Sequence, residues 1–271
     1  MFSEKLQKAW RRNNSMLCVG LDPDIEKVPH CIRHEKNPVF EFNRRIIDAT
    51  HDIVCAYKPQ IAYYAAYGLE LELKLTIDYV KKNYPDILVI LDAKRSDIDS
   101  TAAMYAKEAF DRYGADAVTV NPYMGTDSIK PFIDRSDKGT IVLCRTSNRS
   151  ATDFQETNCD GEKLYRRVAA FARAHWNYNK NLAFVVGATY PDELRDIRAL
   201  CPDIPFLVPG VGAQGGDIAR TVTSGSTEDG FGLIISSSRG IIYAGKDENF
   251  DQAARTAAQK TNDEINKSRN I

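Results

Sequence analysis

Eight short apolar runs punctuate the chain: MLCVGLD (16–22), IVCAYKP (53–59), ILVILDAK (87–94), AVTVNP (117–122), TIVLCRT (140–146), LAFVVGA (182–188), IPFLVPGVG (204–212) and GLIISSS (232–238). Each is rich in Val, Ile, Leu or Cys and shows little polar alternation. Strands covered on both faces have this pattern, because neither side-chain direction meets water. Between most of the runs, apolar positions recur at helical spacing, as in 38–52, 69–84, 100–114 and 162–176. A last stretch of good helix formers covers 250–268. Strand–helix alternation predicts a parallel sheet. Eight such units in 271 residues predict an α/β fold closed as a (β/α)8 TIM barrel. The competing open, doubly wound sheet usually has fewer strands. No linker or low-complexity segment interrupts the pattern, so residues 1–271 are expected to form a single barrel domain.

In such a barrel the chemistry sits at the C-terminal ends of the strands. The third run continues into LDAKRSDIDST (91–101). Alternation along a strand places Asp92 and Lys94 on one face at the strand's end. Asp97 follows in the turn or first helical turn, with Thr101 four residues further on the same helical face. A DxKxxD pattern alone is often no more than a surface salt bridge. Here the neighbouring strands also end in charge, with Asp22 after the first and Lys58 on the second. Charges at a barrel mouth cost desolvation unless they are paired, so Asp22, Lys58, Asp92 and Lys94 are expected to line one sector together.

Strands seven and eight end differently, in VPGVGAQGGD (208–217) and SSSRG (236–240). Glycine-rich turns at these two places are the usual phosphate site of the fold, where backbone N–H groups and a helix N-terminus face the anion. Arg239 can add a bidentate grip and Gln214 can reach over the phosphate. Ser147, after the fifth strand, can hydrogen-bond a polar ring or serve as a turn or N-cap serine. The polar segment 146–161 has the length of a binding or mobile loop. Tyr63, Tyr64 and Tyr67 resemble a core or interface stripe.

Composition narrows the function further. The 36 Lys and Arg against 37 Asp and Glu leave no basic excess of the kind a nucleic-acid binder carries. Six cysteines at 18, 31, 55, 144, 159 and 201 form neither a zinc pattern nor a disulfide framework, and are expected to be reduced, in a cytoplasmic protein. No secretory signal precedes the first strand and no apolar run is long enough to span a membrane. His30, His34, His51 and His175 fall away from the predicted strand ends, and no metal-binding histidine motif is present.

The run Asp92-Ala-Lys94-Arg-Ser-Asp97-Ile98, with Thr101, resembles the signature of orotidine 5′-phosphate decarboxylases. The likeness extends to GLDPD near the start, Lys58, TSN (146–148), PGVGAQGG (209–216) and SSSRGI (236–241). It is strongest toward the longer bacterial branch of that family. The resemblance implies decarboxylation of orotidine 5′-monophosphate to uridine 5′-monophosphate, within pyrimidine biosynthesis, with no cofactor and no metal. Lys58, Asp92, Lys94 and Asp97 match the family's charged tetrad, with Lys94 as proton donor to C6. Asp97, Ile98 and Thr101 would reach the active site of the partner in a homodimer. Asp22 and Thr101 would hold the ribose, Ser147 the pyrimidine, and Gln214, Arg239 and the backbone N–H of Gly240 the 5′-phosphate. One departure concerns the phosphate contacts: where some members carry a tyrosine soon after the glutamine, Gly215 and Gly216 stand here. A metal-dependent phosphosugar decarboxylase or synthase with a similar DxKxxD, and an inactive nucleotide sensor, are the alternatives.

Overall fold

The computed structural model describes residues 1–211 and 216–269. Gln214, the glutamine expected over the phosphate, therefore lies outside the described residues. All eight apolar runs form strands: β1 (Leu17–Leu21), β2 (Ala56–Pro59), β3 (Leu88–Arg95), β4 (Ala117–Val120), β5 (Gly139–Arg145), β6 (Leu182–Val186), β7 (Phe206–Pro209) and β8 (Leu233–Ser237). Each pairs in parallel with its sequence neighbours, and β8 pairs with β1 to close the barrel. The alternation of strand and helix thus produces the expected (β/α)8 architecture. Almost every strand residue is buried, which explains the unbroken apolar runs.

Several strands are shorter than the runs that announce them. Residues 53–55 are buried but precede the ladder of β2, and β7 stops at Pro209. The expected helices form as α2 (Pro38–Thr50), α3 (Glu70–Asn83), α4 (Asp99–Lys107), α5 (Leu164–His175) and α6 (Phe250–Lys267). In 100–114 the α-helix gives way at Glu108–Arg112 to a π-helical turn. The segment 146–161 is partly ordered by a 3-10 turn at Arg149–Asp153 and by a short antiparallel pairing of 158–159 with 162–163.

The amphipathic N-terminus folds as α1 (Phe2–Arg12) and covers the base of the barrel, where the strands begin. It buries Phe2, Leu6, Ala9 and Trp10. Gly139, the first residue of β5, leaves the room that Phe2 fills: a Cβ there would lie 2.5 Å from the Phe2 ring. Lys5 binds Asp116 at 2.8 Å, and Lys81 of α3 binds the other oxygen at 2.8 Å. Trp10 stacks on Phe231 at 5.8 Å, and Arg269, just beyond α6, covers the same ring at 4.0 Å.

Candidate active site

A cavity of about 970 Å³ opens at the C-terminal ends of the strands. Asp22, Lys58, Asp92, Lys94, Ser147, Arg239 and Gly240 all line it, from the ends of β1, β2, β3, β5 and β8 or the turns beyond them. The structure brings together residues that stand more than 200 positions apart, as the barrel topology requires.

The charged sector is continuous. Lys58 Nζ lies 3.1 Å from Asp92 Oδ2 and 3.9 Å from Asp22 Oδ1. Lys94 Nζ donates to the other oxygen of Asp92 at 2.7 Å. Burial alone would lower the pKa of Lys58, but the carboxylates of Asp22 and Asp92 more than offset this and hold it above the ordinary ammonium range. Burial likewise opposes ionisation of Asp92, yet Lys58 and Lys94 keep its carboxyl below the usual carboxylate range. A buried ion pair of this kind is stable only when its remaining lone pairs are satisfied. On Asp92 they are, because Thr119 also donates to Oδ1 at 2.8 Å.

Lys94 does not reach this place by simple strand alternation. Its backbone is left-handed, with φ 47°, and the β3–β4 register shifts between Leu91 and Arg95. The bulge turns the Lys94 side chain into the mouth while Asp92 stays within the barrel. The expected pairing of the two residues holds, but a bulge produces it. Lys94 keeps 46% of its side chain exposed, against 10% for Asp92, so the ammonium stands at the boundary between the buried pair and the open cavity.

Other features of the cavity point to a polar ligand. Asp22 Oδ1 is buried without a hydrogen-bond partner, an arrangement that leaves an acceptor for a ligand hydroxyl. Ser147 is partly buried and precedes Asn148, the residue that caps the 3-10 turn, so it is not the N-cap. Gly187 makes room for it: a Cβ on Gly187 would come within 2.8 Å of the Ser147 side chain. Gly240 lies in the first turn of a short helix, Arg239–Ile242, where backbone N–H groups lack helical acceptors. A Cβ on Gly240 would meet only Ser237 Oγ, at 4.0 Å, so nothing in the protein crowds this approach.

Asp97, Ile98 and Thr101 do not join the cavity. Asp97 accepts from the backbone N–H of its neighbour Ile98, and among the described residues no ion pair links it to Lys94. Ile98 is 46% exposed and Thr101 is exposed. Of the tyrosine stripe, Tyr64 is buried and donates to the Leu21 carbonyl, Tyr63 lines the cavity, and Tyr67 is exposed. His51 stacks on Tyr84 at 4.3 Å, and His175 packs beside Phe171. Cys18, Cys55, Cys144 and Cys201 are buried thiols, and Cys31 and Cys159 are also unpaired. No helix among the described residues is long and apolar enough to cross a membrane.

Two contributors escape a reading of motifs. Thr119 sits on β4 within a plain β-forming run, and nothing in AVTV marks it as polar machinery. Gln155, from the 146–161 segment, also lines the cavity and clasps Thr146 through two 2.8 Å hydrogen bonds.

Comparison with known proteins agrees with this geometry. Residues 15–255 match the model of the orotidine 5′-phosphate decarboxylase / HUMPS family. The chain is 58% identical over 270 residues to an orotidine 5′-phosphate decarboxylase of Cellvibrio japonicus, covering 99% of each. It is 53% identical over 266 residues to a protein of the same name from Janthinobacterium, covering 98% of each. Among solved structures, the OMP decarboxylase of Leishmania donovani superposes with a TM-score of 0.86 at 38% identity, over 100% of this chain and 99% of that one. The UMP synthase of the same organism also superposes at 0.86, with 39% identity, and this chain covers 98% of its own length but 56% of that protein. With a matching family model over most of its length, and relatives more than half identical from end to end, the chain belongs to the orotidine 5′-phosphate decarboxylase family of carboxy-lyases.

Proposed function

We propose that the protein decarboxylates orotidine 5′-monophosphate to uridine 5′-monophosphate and CO₂ without a cofactor, with Lys94 as the proton donor to C6. The observation that carries this reading is the chain Asp22–Lys58–Asp92–Lys94, which ends in an ammonium facing a cavity that also holds Arg239 and Gly240. The names of the similar proteins from Cellvibrio and Janthinobacterium support the choice of substrate.

The chemistry asks for such a group. Heterolysis of the C6–carboxylate bond releases CO₂ and leaves the electron pair on C6, where no adjacent carbonyl delocalises it well. Enzymes lower barriers by ~8–23 kcal/mol, and a fixed charge in a closed site is among the largest contributions. The Lys94 ammonium stabilises the developing carbanion and then transfers its proton to C6. Water returns a proton to the amine. Asp92 holds the ammonium in place, and Lys58 holds Asp92.

In this reading Asp22 binds the ribose hydroxyls, Ser147 the pyrimidine, and Arg239, the Gly240 N–H and Gln214 the 5′-phosphate. Binding energy from the remote phosphate aligns the reacting end. Asp97, Ile98 and Thr101 serve the active site of a second copy, with Thr101 reaching that copy's ribose. The apolar side chains left exposed after β3 and β4, namely Ile98, Met104, Tyr123 and Met124, support a partner on this face.

Ultraviolet absorbance of orotidine 5′-monophosphate mixed with the protein tests the proposal. We expect full turnover in excess EDTA and none from a folded Lys94→Ala variant. Turnover abolished by EDTA would instead favour a metal-dependent relative. Near-normal turnover by Lys94→Ala would remove the mechanism.

A further inference from the structure

The hydroxyl of Thr119 makes three hydrogen bonds at once. It accepts from the backbone N–H of Ala93 at 2.9 Å and from that of Lys94 at 2.9 Å, and it donates to Asp92 Oδ1 at 2.8 Å. The direction of the third bond is not a matter of choice. A hydroxyl has two acceptor lone pairs and one proton. Both lone pairs are occupied by N–H groups, so the single proton goes to the carboxylate. The side chain is 1% exposed, which leaves little opening for water to replace it.

The two N–H partners lie inside the bulge. The N–H groups of Ala93 and Lys94 lie where the β3–β4 ladder loses register, and no regular pairing with β4 is available to them there. Lys94 itself adopts φ 47°, a left-handed conformation that a residue with a side chain keeps only when its surroundings hold it. Thr119 satisfies both N–H groups of the bent segment. Its remaining bond goes to the same Asp92 oxygen that receives Lys94 Nζ at 2.7 Å. One buried hydroxyl therefore grips the backbone and the counter-ion of one lysine.

We infer that Thr119 is a positioning residue for decarboxylation, setting the bulge at Lys94 and the orientation of Asp92 so that the ammonium meets the reacting carbon. The inference rests on the reading of Lys94 as the group that acts at C6. It assigns Thr119 no contact with the reacting atoms. Catalysis by a fixed charge is sensitive to placement, and a displacement of about 1 Å can cost about 100-fold in rate.

Thr119→Val keeps the shape of the side chain and removes the hydroxyl. It strands two partly buried N–H groups and takes a donor from Asp92. We expect kcat to fall about 100-fold, while affinity for uridine 5′-monophosphate, measured by calorimetry, changes little. Loss of the donor also shifts the acid limb of kcat to higher pH. Thr119→Ser, which keeps the hydroxyl, should restore kcat to near the parent value. Thr119→Cys, a weak donor and weak acceptor, should fall between them and serves if the valine protein does not fold. Parent-like kcat in Thr119→Val or Thr119→Cys overturns the role, and so does a serine variant as impaired as valine, since shape would then be what matters. Lys94→Ala assayed in parallel separates the two readings. An inactive Lys94→Ala beside a fully active Thr119→Val overturns the role of Thr119 alone. An active Lys94→Ala overturns the assignment of Lys94 and the positioning role with it.

Discussion

Lys58 and Asp92 hold each other in the charged state from both sides of neutrality. The Asp92 carboxyl sits below its unfolded value of about 3.9, so its share of stability is present above that pH and is lost as pH falls through the lower folded value. Lys58 sits above its unfolded value of about 10.4, so its share is present below that pH and is lost as pH rises through the higher folded value. Between roughly pH 4 and 10 the pair does not titrate, and any limb of the kcat profile in that window belongs to another group. Replacing Lys58 with Met leaves Asp22 and Asp92 without their shared ammonium. That variant should lose activity and acquire an acid limb displaced upward, as the Asp92 carboxyl gains protons more easily. A kcat–pH profile identical to the parent's would contradict the coupling. At this scale the sequence was legible where charge broke an apolar run: Asp22, Lys58, Asp92 and Lys94 were visible as interruptions. Thr119 was not, because a threonine in a strand is an ordinary β-former. The bulge was not visible either, since no glycine at 94 signals the left-handed backbone.

At the scale of elements, all eight strands could be read because burial on both faces leaves a continuous apolar signal. Helices were legible where they were long. The helix Thr126–Ile133 contains Pro131, and Ile218–Gly225 is rich in β-branched residues and ends in glycine, so neither has a strong helical pattern. The segment after β5 shows how a long loop is held. Arg145, at the end of β5, is fully buried, binds Glu156 of the loop at 2.5 Å, lies 3.8 Å from Glu193, and covers the Tyr190 ring at 3.7 Å. Removing one partner of a buried charge is more harmful than its surface exposure suggests. Glu156→Ala should cost about 1.5–3 kcal/mol in urea unfolding and make the 146–161 segment more sensitive to protease. A neutral result in both measurements would show that Tyr190 and Glu193 suffice for the arginine.

For the whole molecule, the question is how many chains make one active site. Asp97 stands outside the cavity of its own chain, and its neighbours Ile98 and Thr101 are exposed. If the site is shared, Lys94→Ala and Asp97→Ala should each be inactive alone and regain activity when mixed under conditions that exchange subunits, because a mixed dimer carries one intact site. Absence of any recovery, with exchange verified by mass, would place Asp97 in its own chain's site or in none. The expectation of a shared site comes only from the family likeness, since a single sequence carries no mark of which residues cross to a partner.

The grip of Trp10 and Arg269 on one phenylalanine has a further consequence. The C-terminal end of α1 and the last described residue, Arg269, meet beside Phe231 at the base, and Phe2 packs there against Gly139, on the side of the barrel away from the cavity. A second enzyme tethered to either end would hang below the barrel and leave the mouth clear. The Leishmania UMP synthase, of which this chain covers 56%, shows that a barrel of this shape occurs within a longer polypeptide. For the present chain, the same geometry makes the base the natural point of attachment to a surface or a fusion partner.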